Sequence, residues 1–309
     1  MDSSDQPGQV QILTWSTKYA STLIHHIFDT IGVPVLVVIF VLLYVSESRF
    51  ELRKRVGNKW KRTMINSIVS IPAFTLLRFL FLPVMVWIAS TNLEYKFGLN
   101  YLYTLPAFTE SCIAFLMLDY GNYIWHFLNH KLGFLWRFHL VHHTDPDLDI
   151  TTAFRFHFGE LIGSVISRGA VVLLTGSTPE LVLIYEIIFE AATQFHHSNW
   201  KLPLKLEKIL NLVIVTPRMH GIHHSIIRQQ TDSNYSVVFS FWDRIHKTAC
   251  LNVDQNLVVT GVPAYSDQSE LTIGYLLKLP FKKIRPWNMP GVNGRAKDQT
   301  GRNSADTDE

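Results

Sequence analysis

Cysteine and charge are what this chain has least of. Its 309 residues include two cysteines, Cys112 and Cys250, too few and too far apart for a disulfide framework or a Cys-x-x-Cys metal site. Cys112 lies in an apolar run and reads as a small packed hydrophobe. Charged residues make up only 17% of the chain, where a soluble globular protein carries about a quarter. With 48% of residues hydrophobic, the balance points to a membrane protein. A net charge of +3 gives no reason to expect nucleic acid as a partner. The chain also lacks the Gly-x-Gly-x-x-Gly fingerprint of a bound nucleotide and any haem or ferredoxin motif. Its first residues, MDSSDQPGQVQ, lack the basic stretch of a cleaved signal peptide, so the first apolar helix is expected to be retained.

What the chain does have is histidine. Of its fourteen, twelve fall between positions 126 and 246. The stretch HLVHHTDPDLDITTAFRFHFGE carries His139, His142, His143 and His157; MHGIHHS carries His220, His223 and His224; WHFLNH carries His126 and His130. On a helix, positions i, i+3 and i+4 share one face, so each triad is expected to aim its imidazoles at a common point. Clustered imidazoles without metal would each need a hydrogen-bond partner if neutral and would repel if charged. Two triads and a pair exceed what one four-coordinate ion can use, which points to two metals with nitrogen ligands. His197 and His196 are further candidates, whereas His25, His26 and His246 read as ordinary polar residues.

The expected fold class is all-α: an integral membrane helical bundle with three to five membrane helices and a cytosolic histidine-rich cap holding a di-metal site. After a polar segment at 1–26, apolar spans are predicted at 27–44, 68–89 and 102–123. A basic loop between the first two, with Arg49, Arg53, Lys54, Arg55, Lys59, Lys61 and Arg62, marks the cytoplasmic side. The parity of the spans then delivers His126 and His130 to that side. Within the histidine region, 124–287, two short apolar helices at 161–174 and 181–195 form a hairpin, with Pro179 at the first position of the second. They return His196 and His197 to the same face. Residues 203–215 read as an interfacial helix, 234–263 as strand-like or irregular, and 288–309 as a disordered polar tail.

Imidazole suits zinc, copper, iron and nickel alike. Eight or more histidines fit neither a structural zinc nor a mononuclear catalytic one, while two redox irons beside a lipid-accessible interior would serve oxygen activation and attack on an unactivated C–H bond. The succession His-x-x-x-His, His-x-x-His-His, a lone His-Ser-Asn and a second His-x-x-His-His resembles the fatty acid hydroxylase and sterol desaturase superfamily of membrane di-iron enzymes. The likeness covers about residues 119–248. DYGNYIWHFLNH, QFHHSNWKLP, PRMHGIHHS and DSNYSVVFSFWDR look like its sterol desaturase branch, the last block with some similarity to alkylglycerol monooxygenases. Phe158 stands where that branch usually has proline, and His246 where it has an aromatic or aliphatic residue.

The resemblance implies metal-ligand roles for His126, His130, His139, His142, His143, His197, His220, His223 and His224, with His157 a tenth ligand or a close neighbour of one. It implies two iron ions, O2 as co-substrate, a membrane lipid as substrate and an external electron donor: a cytochrome, a ferredoxin or an NAD(P)H-dependent reductase. Asp119, on the face of His126, together with Asp145, Asp147, Asp149 and Asn199, is expected to orient imidazoles from behind; Arg155 and Asn234 acquire no role from sequence. Hydroxylation or desaturation of a sterol-like or acyl lipid is the expected reaction. The alternatives are a pterin-dependent ether-lipid monooxygenase, and a metal transporter, whose ligands would sit midway along broken helices rather than at helix ends.

Overall fold

Two of the apolar runs answer a proline at the start of a helix in the same way. In the computed structural model, which describes residues 18–287, a π-helical turn at Ile24–Gly32 leads into α1 (Val33–Arg49), which carries Pro34 in its first turn. After α2 (Lys59–Leu76) a second π turn, Leu77–Phe81, leads into α3 (Leu82–Tyr95) with Pro83. Proline has no N–H to give and its ring crowds the carbonyl one turn back, so a widened turn lets the helix continue. Much of the polar segment expected at the N-terminus, and the tail from residue 288, lie outside the described residues.

Then follow α4 (Ala107–Lys131), α5 (Gly133–His143), a 3-10 turn at Ile150–Phe154, α6 (Phe158–Thr175) and α7 (Pro179–His197). Pro179 takes the first turn of α7, and Thr178 caps it by accepting from the Leu181 amide at 3.3 Å. The α6–α7 turn is tight: Gly176 has φ 73°, and a Cβ on Gly98 would collide with its backbone. Two short helices, α8 (Leu204–Leu210) and α9 (Pro217–His223), complete the frame. The expected interfacial helix therefore stops at Leu210. Among the described residues no strand forms; apart from α9 and single helical turns at Arg228–Thr231 and Phe241–Ile245, residues 211–263 run irregularly, tied by single backbone bridges such as Ile214 to Phe239 and Ser225 to Thr260.

Three stretches are long and apolar enough to cross a bilayer: Lys18–Arg49, Lys59–Tyr101 and Phe158–Thr175. The span expected at 102–123 lies in α4 and the hairpin helix expected at 181–195 is α7; they carry Asp119, Asn122, His126 and Asn129, and Glu186, Glu190 and Gln194, on inward faces. Ile24, Phe28, Phe81, Leu82, Met85, Leu118, Val172 and Leu183 form the buried core between the spanning helices. A second core, with Val69, Trp136, Leu140, Val262, Tyr265 and Leu276, holds α5 against the chain's C-terminal segment.

Buried ion pairs join these layers. Arg62, at the start of α2, donates to both oxygens of Asp145 at 2.8 Å and to Asp149 at 2.6 Å. Arg155 donates to the Val141 carbonyl at 2.9 Å, to Asn66 at 3.0 Å and to Thr144 at 3.0 Å. Burial alone would raise the Asp145 carboxyl, but Arg62 and Arg155 beside it override that and hold it at about 2. These contacts fix the end of α5, and with it His142 and His143.

Candidate metal centre

Nine histidines converge in two adjoining groups. His126, His130, His139, His143 and His223 form one; His142, His197, His220 and His224 form the other; within each, one ligand atom per residue lies within 4.8 Å of every other. The rings of His143 and His224 stack at 4.4 Å across the boundary. The expected convergence of each triad on one point is corrected here. The i, i+4 partners stay together, His139 with His143 and His220 with His224, while the residue between them crosses over: His142 joins the second group and His223 the first. At about 100° per residue, i and i+4 diverge by about 40° in one sense and i and i+3 by about 60° in the other. Two facing helices so arranged exchange one ligand each.

The ring nitrogens show how each histidine is set. His126 Nδ1 lies 2.8 Å from the Tyr235 carbonyl, His223 Nδ1 2.6 Å from that of Ser233, and His197 Nδ1 2.8 Å from that of Thr193. His139 Nδ1 lies 3.0 Å from a Glu160 carboxylate oxygen. Each contact places the proton on Nδ1 and leaves an Nε2 lone pair facing the group. Those Nε2 atoms crowd together: His142 to His197 is 3.0 Å, His197 to His220 2.9 Å, His220 to His224 3.1 Å and His139 to His143 3.2 Å. Two nitrogens each about 2.1 Å from a shared ion would be separated by about 3.0 Å at a right angle and about 3.4 Å at the tetrahedral angle. The observed spacings fall in or just below that range. His223 Nε2 and both nitrogens of His130 are buried without a hydrogen-bond partner, a state that is costly unless something fills the gap. Burial, then the neighbouring imidazoles, pushes His142, His143, His220 and His224 well below the usual imidazole value; burial takes His223 down to about 3. Neutral imidazoles are the form that binds a metal.

His157 stands apart. Its Nδ1 accepts from the Gly159 amide at 3.0 Å, capping α6, and its Nε2 lies 3.2 Å from the Leu277 carbonyl, so neither nitrogen is turned toward a group. His196 packs on the His220 ring at 4.1 Å without joining either group. The expected orienting carboxylates mostly serve elsewhere. Asp145 and Asp149 pair with Arg62, and Asp147 caps the Val56 and Gly57 amides at 2.8 Å. Asn199 grips Arg53, accepting from its amide at 2.9 Å and donating to its carbonyl at 2.8 Å. Asp119 accepts from Trp242 at 2.8 Å and from the Phe239 amide at 3.1 Å; it anchors the segment after Tyr235 and touches no imidazole. The groups behind the rings are instead Glu160, three backbone carbonyls, and Asp232, 3.7 Å from His130. A carbonyl leaves no trace in a motif, and Glu160 looks like any acid in a first helical turn.

Asn234 separates two of those carbonyls. Its φ of 55° is left-handed, so Ser233 and Tyr235 on either side turn toward different histidines. Asp243 fixes Tyr235 by accepting from its amide at 2.8 Å.

Beside the histidines lies a cavity whose empty volume, mouth included, is about 910 Å³. His126, His139, His142, His197 and His220 border one end, and Trp125, Phe156, Leu161 and Phe189 are among its apolar walls.

Residues 111–248 match the fatty acid hydroxylase family, and all nine converging histidines fall inside that segment. The chain is 30% identical over 185 residues to an alkylglycerol monooxygenase of Danio rerio, covering 59% of this chain and 40% of that protein. It is 26% identical over 140 residues to the ornithine lipid hydroxylase OlsE of Rhizobium tropici, 45% of this chain and 41% of that one. To a cholesterol 25-hydroxylase-like protein of Danio rerio it is 21% identical over 206 residues, 65% and 77% respectively. The match thus spans about two fifths of the first two relatives. No solved structure matches. The histidine order, the two groups and the matched segment agree: residues 111–248, which hold all nine converging histidines, are similar to the fatty acid hydroxylase family.

Proposed function

We propose that the chain is an O2-dependent membrane oxidase acting on a lipid C–H bond, by hydroxylation or desaturation, with two iron ions and electrons from an external donor. The observation that carries this is the pairing of two adjoining histidine groups with an apolar cavity that ends on them. His126, His130, His139, His143 and His223 would hold one ion, and His142, His197, His220 and His224 the other. When bound, a reduced iron pair supplies the activation of dioxygen that a C–H bond of a lipid requires. The chain's own part is geometric. Glu160 and the carbonyls of Thr193, Ser233 and Tyr235 keep Nδ1 of His139, His197, His223 and His126 protonated and those four rings oriented. Trp125, Phe156 and Phe189 exclude water and hold an alkyl segment against the histidine end.

The basic loop lies at that same end, which supports a cytoplasmic site, although Arg53 and Arg62 of that loop are buried and the orienting charge rests on the others. A cytochrome, ferredoxin or reductase would therefore dock from the cytoplasm. The test is oxygen uptake by the reduced, iron-loaded protein: lipid-dependent consumption with two irons per chain is expected, and metal-free protein or uptake indifferent to lipid would refute it. A second reading, an ether-lipid monooxygenase using a pterin, is favoured by the 30% identity to an alkylglycerol monooxygenase; turnover that requires added pterin would select it.

A further inference from the structure

Tyr235 brings more than its carbonyl to the first histidine group. Its buried ring lies 5.8 Å from that of His126, 5.3 Å from His130 and 5.8 Å from His223. From it a line of rings runs outward. Tyr123 follows at 6.3 Å, and Tyr120, one turn back along α4, lies 6.1 Å from Tyr123. His246 stacks on both, 4.9 Å from Tyr123 and 5.6 Å from Tyr120, and Trp242 lies 4.9 Å from Tyr120. Every step falls within the roughly 4.5–7 Å of a direct aromatic pair. Burial declines along the line: Tyr235 and Tyr123 are buried, Tyr120 and Trp242 half-buried, and His246 is exposed.

Phenols and indoles are the side chains of such a line that can give up one electron. Doing so leaves a cation, which is costly in a buried site unless a proton can depart. Tyr123 has a route for that proton. Its hydroxyl lies 3.0 Å from Thr248 Oγ1, and Thr248 gives its own proton to Asp243 Oδ1 at 2.6 Å, so Tyr123 is the donor in the first bond. Trp242 has a route as well, since its indole N–H donates to Asp119 at 2.8 Å. The Tyr235 hydroxyl is buried without a hydrogen-bond partner among the described residues. Two rings able to hold an unpaired electron thus each lead to a carboxylate, and Tyr235 bridges the nearer one to the histidines.

We infer that Tyr235, Tyr123, Tyr120 and Trp242 form a relay by which an oxidising equivalent leaves the metal centre for the surface when no substrate C–H bond is in place, sparing the histidines. This rests on the oxidase reading, which supplies the oxidant: a metal centre oxidised by dioxygen or a peroxide. Tyr123 gives one electron through Tyr235 to that centre, which is reduced by one. The phenol O–H breaks, its proton passes to Thr248 as that of Thr248 passes to Asp243, and a neutral phenoxyl radical remains. An electron then reaches Tyr123 from Trp242 by way of Tyr120, the protons run back from Asp243, and the indole proton goes to Asp119. A one-electron reductant of the ascorbate or thiol class refills Trp242 from solution, and Asp119 returns the proton.

Freeze-quench electron paramagnetic resonance of the iron-loaded full-length protein in micelles, treated with hydrogen peroxide without lipid, tests the relay. Wild type should give a tyrosyl signal that narrows when its tyrosines are ring-deuterated. Tyr123→Phe should lose that signal at unchanged iron content, and peptide mass spectrometry should then find oxidation moved from Trp242 to His126, His130 and His223. Where that variant does not accumulate, Thr248→Val decides, because it keeps the phenol, removes the proton acceptor and should also lose the signal. Trp242→Phe should instead prolong it, the way to the surface being cut. Lipid-dependent oxygen uptake without any tyrosyl signal, or a signal that survives Tyr123→Phe, overturns the relay. A Tyr123 radical without lipid-dependent uptake sinks the oxidase reading alone.

Discussion

Asn234→Ala is the substitution that most directly tests how the rings are held. The Asn234 side chain donates to the Met219 carbonyl at 2.9 Å and the Cys250 carbonyl at 2.7 Å, and accepts from the Cys250 amide at 2.7 Å. Alanine leaves all three backbone groups without that partner, at about 1–3 kcal/mol for each one kept from water, and adds about 1–2 kcal/mol for a Cβ in the left-handed region. A destabilisation of about 4 kcal/mol or more is expected. Asn234→Gly loses the same hydrogen bonds but adopts the left-handed backbone freely, so it should be milder by about 1 kcal/mol. In both variants the Ser233 and Tyr235 carbonyls lose their fixed aim at His223 and His126, and metal affinity should fall about 10- to 100-fold. Thermal unfolding in micelles and competition with a chelator measure the two effects. An alanine variant that melts and holds metal like wild type, or a glycine variant worse than alanine, would refute the account.

Other substitutions separate parts of the site. His223→Ala and His224→Ala change adjacent residues that belong to different groups, so each should cost one ion of the pair and the double variant both; loss of both ions from either single variant would mean that the groups act as one. Arg62→Met leaves Asp149 without an ionic partner and Asp145 with Arg155 alone at 3.8 Å, and should destabilise the fold by about 3–5 kcal/mol. Arg62→Lys should rescue it poorly, because one ammonium cannot reproduce the forked contact; a lower melting temperature in both variants is the readout. His157→Ala should keep the full metal content and lose about 1 kcal/mol with the cap on α6, whereas metal loss would return His157 to the ligands.

How much of this was legible depends on the range of the interaction. Helices and histidine pairs four apart are local, and both follow from periodicity. The division of nine ligands into five and four is not local: it depends on how α5 and α9 face each other, and α5 is anchored by Arg62 reaching 83 residues along the chain to Asp145. Asp119 shows the same limit. Its spacing from His126 places it on the right face, yet it is claimed by amides about 120 positions away. Three stretches are long and apolar enough to cross a bilayer, within the expected three to five, and the helices outside that count are the informative ones. Residues 102–123, expected as a span, and 181–195, expected as one short helix of a hairpin, are apolar along most of their length and carry a polar minority. In the folded chain that minority is sorted onto one face: Asn122, His126 and Asn129 on α4, Glu186, Glu190 and Thr193 on α7, all lining the cavity. A polar residue inside an apolar helix is costly wherever it meets lipid. The same residues that keep α4 and α7 from being simple spans therefore mark the path along which the substrate is expected to reach the histidines.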